Sequence, residues 1–179
     1  MQSRPYCSSY NIDNSFSLLI QQNINSARIK MLLPKDPINT ADIPSTFDVL
    51  QHFLPGVLAT ECFNDQGIPF SQEVKRTEIG HLFEHILLEY MCQCKINKGH
   101  KSAAFAGKTK WNWERDPRGV FHIRINCTLK DADIFPLALN KSITLMKIIL
   151  HHNQFPSSSD ALSTHSNEGF KNGKKLEKK

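Results

Sequence analysis

His81 and His85 sit four residues apart in the run Gly80-His81-Leu82-Phe83-Glu84-His85-Ile86-Leu87-Leu88-Glu89-Tyr90. Their types and spacing are the most direct offer of chemistry in the chain. On a helix of 3.6 residues per turn, positions i and i+4 share a face, so the two imidazoles stack and converge on one point. Glu84 stands beside them, displaced around the helix by about 60 degrees. His-x-x-Glu-His is the inverted zincin spacing, in which two imidazoles hold zinc and the neighbouring carboxylate takes a proton from water. The plainer reading of the same residues is a buried helix whose histidines and glutamate are satisfied by hydrogen bonds alone.

The elements around this run must position it. Leu82, Phe83, Ile86, Leu87, Tyr90 and Met91 give the helix a broad apolar surface, and no Pro or Gly interrupts His81 to Asn97. A helix capped near Thr77 and ending before Gly99 follows. Phe16 to Ile20 and Ala27 to Leu33 read as strands, the second closed by Pro34, Asp36 and Pro37. Ser45 to Phe53 has helical spacing and is stopped by Leu54-Pro55-Gly56; Val57 to Phe63 then reads as a strand and Asn64 to Gly67 as a turn. Ala103 to Thr109 and Val120 to Leu129 are further strands, the latter alternating Phe121, Ile123 and Ile125 with His122, Arg124 and Asn126. The loop from Trp111 to Gly119 joins them. A last amphipathic helix, capped by Asp131 or Asp133, runs to about His152 on Leu137, Leu139, Ile143, Met146, Ile149 and Leu150. This order predicts an α+β fold, a small mixed β-sheet packed against two or three helices in a single domain over 15–153. Residues 1–14 are expected to be a flexible N-terminus and 154–179 a disordered Ser/Lys-rich tail.

With 40% hydrophobic and 22% charged residues, the composition is that of an ordinary water-soluble chain. Its apolar runs are short and Met1 to Cys7 lacks a signal-peptide core, so a cytoplasmic protein with no membrane partner is expected. Five cysteines at irregular spacing argue against a disulfide framework, and Cys92 and Cys94 read as packing thiols. The net charge of +5 is assigned to Lys171, Lys174, Lys175, Lys178 and Lys179 near the C-terminus, and no nucleic-acid partner is expected. Gly107-Lys108-Thr109 ends like a phosphate loop, but Ser102 stands where its first glycine belongs.

Three stretches together resemble the N-terminal domain of cyanophycin synthetases, enzymes that make a branched arginine and aspartate polymer. They are Phe53-Leu54-Pro55-Gly56-Val57 with Cys62 shortly after; Thr77 through Glu89; and Phe105-Ala106-Gly107-Lys108-Thr109 followed by Pro117-Arg118-Gly119-Val120-Phe121. The likeness covers about residues 28–150. Thr60 and Glu61 stand where the synthetases tend to have histidines, and the loop carrying Trp111 and Trp113 is longer. The resemblance implies a stand-alone version of that domain, which in some synthetases is a metal-dependent, peptidase-like site that trims the polymer and in others lacks activity.

On this reading zinc is held by His81 and His85, with Glu84 as catalytic base. A third ligand is required, because a catalytic zinc takes three protein ligands and keeps one open position. Glu89 matches the family helix but lies roughly 12 Å along the axis from His81, so it is either a ligand or an orienting partner of His85. Glu61 is the alternative. Lys108, Arg124 and His122 are candidates to bind substrate and steady an oxyanion, by strand position alone; otherwise they form a solvated strand face. The expected function is hydrolysis of peptide or isopeptide bonds, with a peptide or arginine/aspartate-type polymer as substrate. The competing expectation is a non-catalytic polymer- or protein-binding module.

Overall fold

The computed structural model describes residues 6–62 and 67–152. Strict alternation builds its sheet. In β3 (Ala27–Leu32), Ala27, Ile29 and Met31 are buried while Arg28, Lys30 and Leu32 are exposed; in β5 (Val120–Asn126), Phe121, Ile123 and Ile125 are buried while His122, Arg124 and Asn126 are exposed. The pleat sends each set to its own face, and the register from Ala27↔Ile125 to Leu32↔Val120 puts both apolar sets on the same one. β2 (Phe16–Gln22) and β1 (Tyr6–Ile12) extend the sheet beyond β3, and β4 (Ala106–Lys110) pairs with the far side of β5. The strand order is β1-β2-β3-β5-β4 and every pairing is antiparallel, so the sheet is not the mixed one expected.

Two local readings are corrected. Residues 6–12, expected to be flexible, form β1, paired with β2 from Tyr6↔Gln22 to Ile12↔Phe16. This strand is polar because it is held by its backbone ladder at the sheet edge. Asp13 and Asn14, at φ 44° and 59°, turn the chain in the left-handed region that these side chains tolerate. The strand expected from Val57 is instead a 3₁₀ turn over Pro55–Ala59. Pro55 is pre-set for the first helical position, and the Thr60 hydroxyl donates back to the Val57 carbonyl at 2.7 Å. Phe63 and the expected turn at 64–66 lie outside the described residues, as do 1–5 and the expected tail from 154.

One face of the sheet is covered by helices: α1 (Thr46–Phe53), the single turn α2 (Phe70–Glu73), α3 (Ile79–Asn97) and α4 (Ile134–His152). The architecture is therefore a single α+β domain of two layers. α3 packs against α4 as well as against β4 and β5, which is why it is apolar around most of its circumference. Its first turn rests on the Phe121 ring at Gly80, where any side chain would collide. Phe83, on the same helix, meets Phe16 of β2 edge to face at 6.4 Å. α4 is long and apolar enough to cross a membrane by length and composition alone, yet it buries Ile134, Phe135, Ala138, Leu139, Leu145 and Met146 in the core. Leu137, expected on that stripe, is 52% exposed.

Charge also ties α3 to the turn that leads into α4. Lys95 donates to Asp131 at 3.0 Å, and the same carboxylate accepts from the Thr128 N–H and hydroxyl at 3.1 and 2.9 Å. Burial works to raise the Asp131 carboxyl, but the Thr128 and Lys95 donors outweigh it and hold it below the usual aspartate range. A carboxyl lowered by folding stabilises the native state above its unfolded pKa of about 3.9, and that contribution is lost as the pH falls through the folded value. Asp131→Ala is expected to cost about 2 kcal/mol at neutral pH. Urea unfolding as a function of pH checks this, since the gap to wild type should narrow only in acid.

Candidate metal centre

Three segments deliver the site. α3 presents His81 and His85 on one face, the chain leaving the Pro55–Ala59 turn presents Thr60 and Cys62, and α2 with its following turn presents Phe70, Glu73 and Thr77. The Nε2 atoms of His81 and His85 are 3.1 Å apart, and the Cys62 Sγ is 3.5 Å from His81 Nε2. All three ligand atoms lie within 4.8 Å of one another. This group has the donor chemistry and convergence to hold a metal ion.

The hydrogen-bond network assigns the ring protons. Thr60 Oγ1 spends its one hydrogen on the Val57 carbonyl, so it can only accept from His85 Nδ1, 3.0 Å away. His85 thus carries its proton on Nδ1 and turns a bare Nε2 lone pair to the centre. His81 Nδ1 faces the Glu73 carboxylate at 3.3 Å and the Thr77 hydroxyl at 3.0 Å, which assigns its proton to Nδ1 as well. Both Nε2 atoms are then acceptors pointed at each other. Phe70 stacks on His85 at 3.8 Å and 12°, and meets His81 edge-on at 6.1 Å, closing the apolar wall. His85 is only 6% exposed, and that burial, reinforced by the His81 ring, pushes it down to about 3, so it is neutral at physiological pH.

Glu84 is 5% exposed and turned toward the edge strand β4. Its carboxylate accepts from the Thr109 hydroxyl at 2.5 Å, and a Cβ on Gly107 would stand 2.6 Å from its other oxygen. Gly107 is therefore glycine because the carboxylate occupies that space. Burial raises Glu84 above the ordinary glutamate range, with the Thr109 bond and the field of His81 opposing. A desolvated carboxylate of this kind is a stronger base than one in water.

Of the expected residues, the structure brings His81 and His85 together and sets Glu84 on the next face. It does not bring Glu89, Glu61, Lys108, Arg124 or His122 to them. Glu89 lies against Gly56 of the Pro55–Ala59 turn and accepts from Gln93, one turn further along α3, at 2.9 Å. Glu61 is exposed beside that cysteine. Lys108, Arg124 and His122 project from the opposite face of the sheet, because Thr109, Ile123 and Phe121 take the inward positions of the pleat. The third side chain that could hold an ion with them is Cys62. Its signal in the sequence is its place a few residues after Leu54-Pro55-Gly56. Phe70 and Glu73 had no such signal, and although Thr60 and Thr109 stand at positions noted for the resemblance, their roles depend on tertiary approach.

No protein-family model matches this chain, and no match to it is found among curated proteins.

Thr60→Val removes the acceptor that fixes the His85 tautomer and should weaken divalent-metal binding by roughly 10-fold to 100-fold, measured by isothermal titration. Cys62→Ala should weaken it further, and Glu61→Gln should leave it unchanged.

Proposed function

We propose that this chain is a zinc-dependent hydrolase of peptide or isopeptide bonds, with Cys62, His81 and His85 as the metal ligands and Glu84 as the base. The observation that carries the reading is the pair of Nε2 lone pairs facing each other at 3.1 Å, their Nδ1 protons already committed to Thr60 and to Glu73 and Thr77. A cation between them relieves that repulsion. For tetrahedral zinc, with bonds of about 2.0 Å to nitrogen and 2.3 Å to sulfur, the ligand atoms should be about 3.3 Å apart for N and N, and about 3.5 Å for N and S. The separations of 3.1 and 3.5 Å are close to both. One thiolate and two imidazoles favour zinc over the hard cations magnesium and calcium, and three ligands keep a fourth position for water or substrate.

Zinc bound there supplies Lewis-acid polarisation of a carbonyl and acidification of water. The chain's own residues do the rest. Cys62 enters as thiolate; Glu73, Thr77 and Thr60 hold the two rings in the tautomers that ligation needs. As water adds to the substrate carbonyl, Glu84 accepts its proton, and it returns that proton to the departing nitrogen when the C–N bond breaks. Thr109 and Gly107 fix the carboxylate that makes both transfers. The resemblance to the N-terminal domain of cyanophycin synthetases supports an arginine/aspartate-type polymer or a short charged peptide as substrate, and a cytoplasmic setting accords with the composition.

The second reading is a metal-stiffened binding module without catalysis. Its support is the enclosure of Glu84 by Thr109 and Gly107. Elemental analysis of the purified chain, with and without His81→Ala, tests the metal; zinc lost with that histidine is expected, and metal-free wild type would overturn the reading. Glu84→Gln is expected to keep the metal and lose about 100-fold to 10,000-fold in hydrolysis of arginine–aspartate polymer. Zinc-loaded wild type without hydrolysis would favour the binding module.

A further inference from the structure

The sheet has two free edges, and they differ in chemistry. β1 contains no charged residue. β4 is exposed along most of its length, with Lys108 and Lys110 on the face turned away from the helices and Gly107 and Thr109 on the face turned toward α3. Among the described residues no strand pairs with β4 on the side opposite β5. Every second residue of β4 therefore holds an N–H and a C=O out to the side with no ladder partner. Such an edge is a template for one more strand, and only a polypeptide main chain carries donors and acceptors at the matching repeat.

Charge then narrows which polypeptide fits. Behind Lys108 the register places Arg124 and Arg28, and behind Lys110 it places His122 and Lys30, so both rows are basic across three strands. His122 is paired with Asp116 at 3.0 Å, while neither lysine makes an ion pair among the described residues. Like charges side by side weaken a sheet; a second copy of β4 is repelled, and an acidic side chain at the head of each row is favoured. The inward side of the edge makes the opposite demand. The Glu84 carboxylate lies beneath Gly107, which is exposed and lacks the side chain that would hold a neighbouring main chain off. An acid pointing inward there would meet Glu84. We propose that the free edge of β4 takes an extended polypeptide with an acid at every second position as an added strand, and so lays substrate main chain beside Glu84. The role as substrate rests on the hydrolase reading; the docking rests on the edge and its charges.

The five residues of β4 span about 17 Å, so the probe is a fluorescein-labelled peptide of about nine residues alternating Asp and Thr. Its binding is read by anisotropy on the full chain carrying Glu84→Gln, which keeps the peptide intact. A peptide of the same composition with its aspartates in one block should bind about fivefold to tenfold more weakly. N-methylation of one alternate set of peptide amides should abolish binding and N-methylation of the other set should be tolerated, because only one set faces β4. Amide hydrogen exchange should slow in β4 on binding and not in β1. Lys108→Glu combined with Lys110→Glu should weaken binding about tenfold or more and reverse the preference toward an alternating Lys and Thr peptide; an unchanged melting temperature certifies that this variant is folded. Protection appearing in β1 instead, tolerance of both N-methylated sets, or oligo(dT) displacing the peptide as well as unlabelled peptide does would overturn the proposal. Peptide held in this way but never cleaved by zinc-loaded wild type supports the docking and counts against the hydrolase. Cleavage of arginine–aspartate polymer that is unchanged by the two lysine substitutions does the reverse.

Discussion

Two imidazole lone pairs held 3.1 Å apart in a protein interior repel each other unless something positive lies between them. The constraint does not originate in the histidines. It comes from one hydroxyl hydrogen on Thr60, which is spent on the Val57 carbonyl and so forces His85 to donate from Nδ1. A 3₁₀ turn begun by Pro55 thereby decides which nitrogen of a ring on another element is free to ligate. The turn in its place, Cys62 follows within reach, and Glu89 of α3 packs against its Gly56.

The same helix divides its labour by angle. Its His81–His85 face looks toward the Thr60–Cys62 segment and α2, and the Glu84 direction looks toward β4, where Gly107 and Thr109 receive it. Burial then acts with opposite effect on the two ionisable types. It keeps His85 neutral and raises Glu84, the directions that the proposed ligand and the proposed base would need. One dry environment tunes both, which is why α3 needs apolar neighbours on nearly every side.

Much of this was legible in the sequence because it depends on local periodicity. Alternation through Ala27–Leu32 and Val120–Asn126, and the unbroken run from His81 to Asn97, mark two central strands and the central helix. The misses have physical causes. β1 is rich in Ser and Asn because an edge strand needs a ladder more than a core, and the turn signal lay in Asp13-Asn14. Val57–Ala59 has strand-like residues, but the proline ahead of it sets helical dihedrals. Cys62 was not read as a candidate ligand, because nothing local connects it to His81 across nineteen positions and only its place after Leu54-Pro55-Gly56 marked it. Lys108, His122 and Arg124 were legible as a strand face, yet the side of the sheet they occupy follows from Thr109 turning inward to Glu84. Until β3 and β4 flank β5, they cannot be seen as parts of two rows.

That separation of nineteen positions between Cys62 and His81 makes an ion bound by both a cross-link. Closing a loop of this length removes about 3 kcal/mol of conformational freedom from the unfolded chain in the chain-entropy picture, the effect ordinarily credited to a disulfide. None of the five cysteines is in a disulfide, so the fold carries no such covalent staple. A thiolate and an imidazole sharing one ion would fasten the segment carrying α2 and Phe70 to α3 by a bond that a change in metal supply, instead of a change in redox state, could open and close.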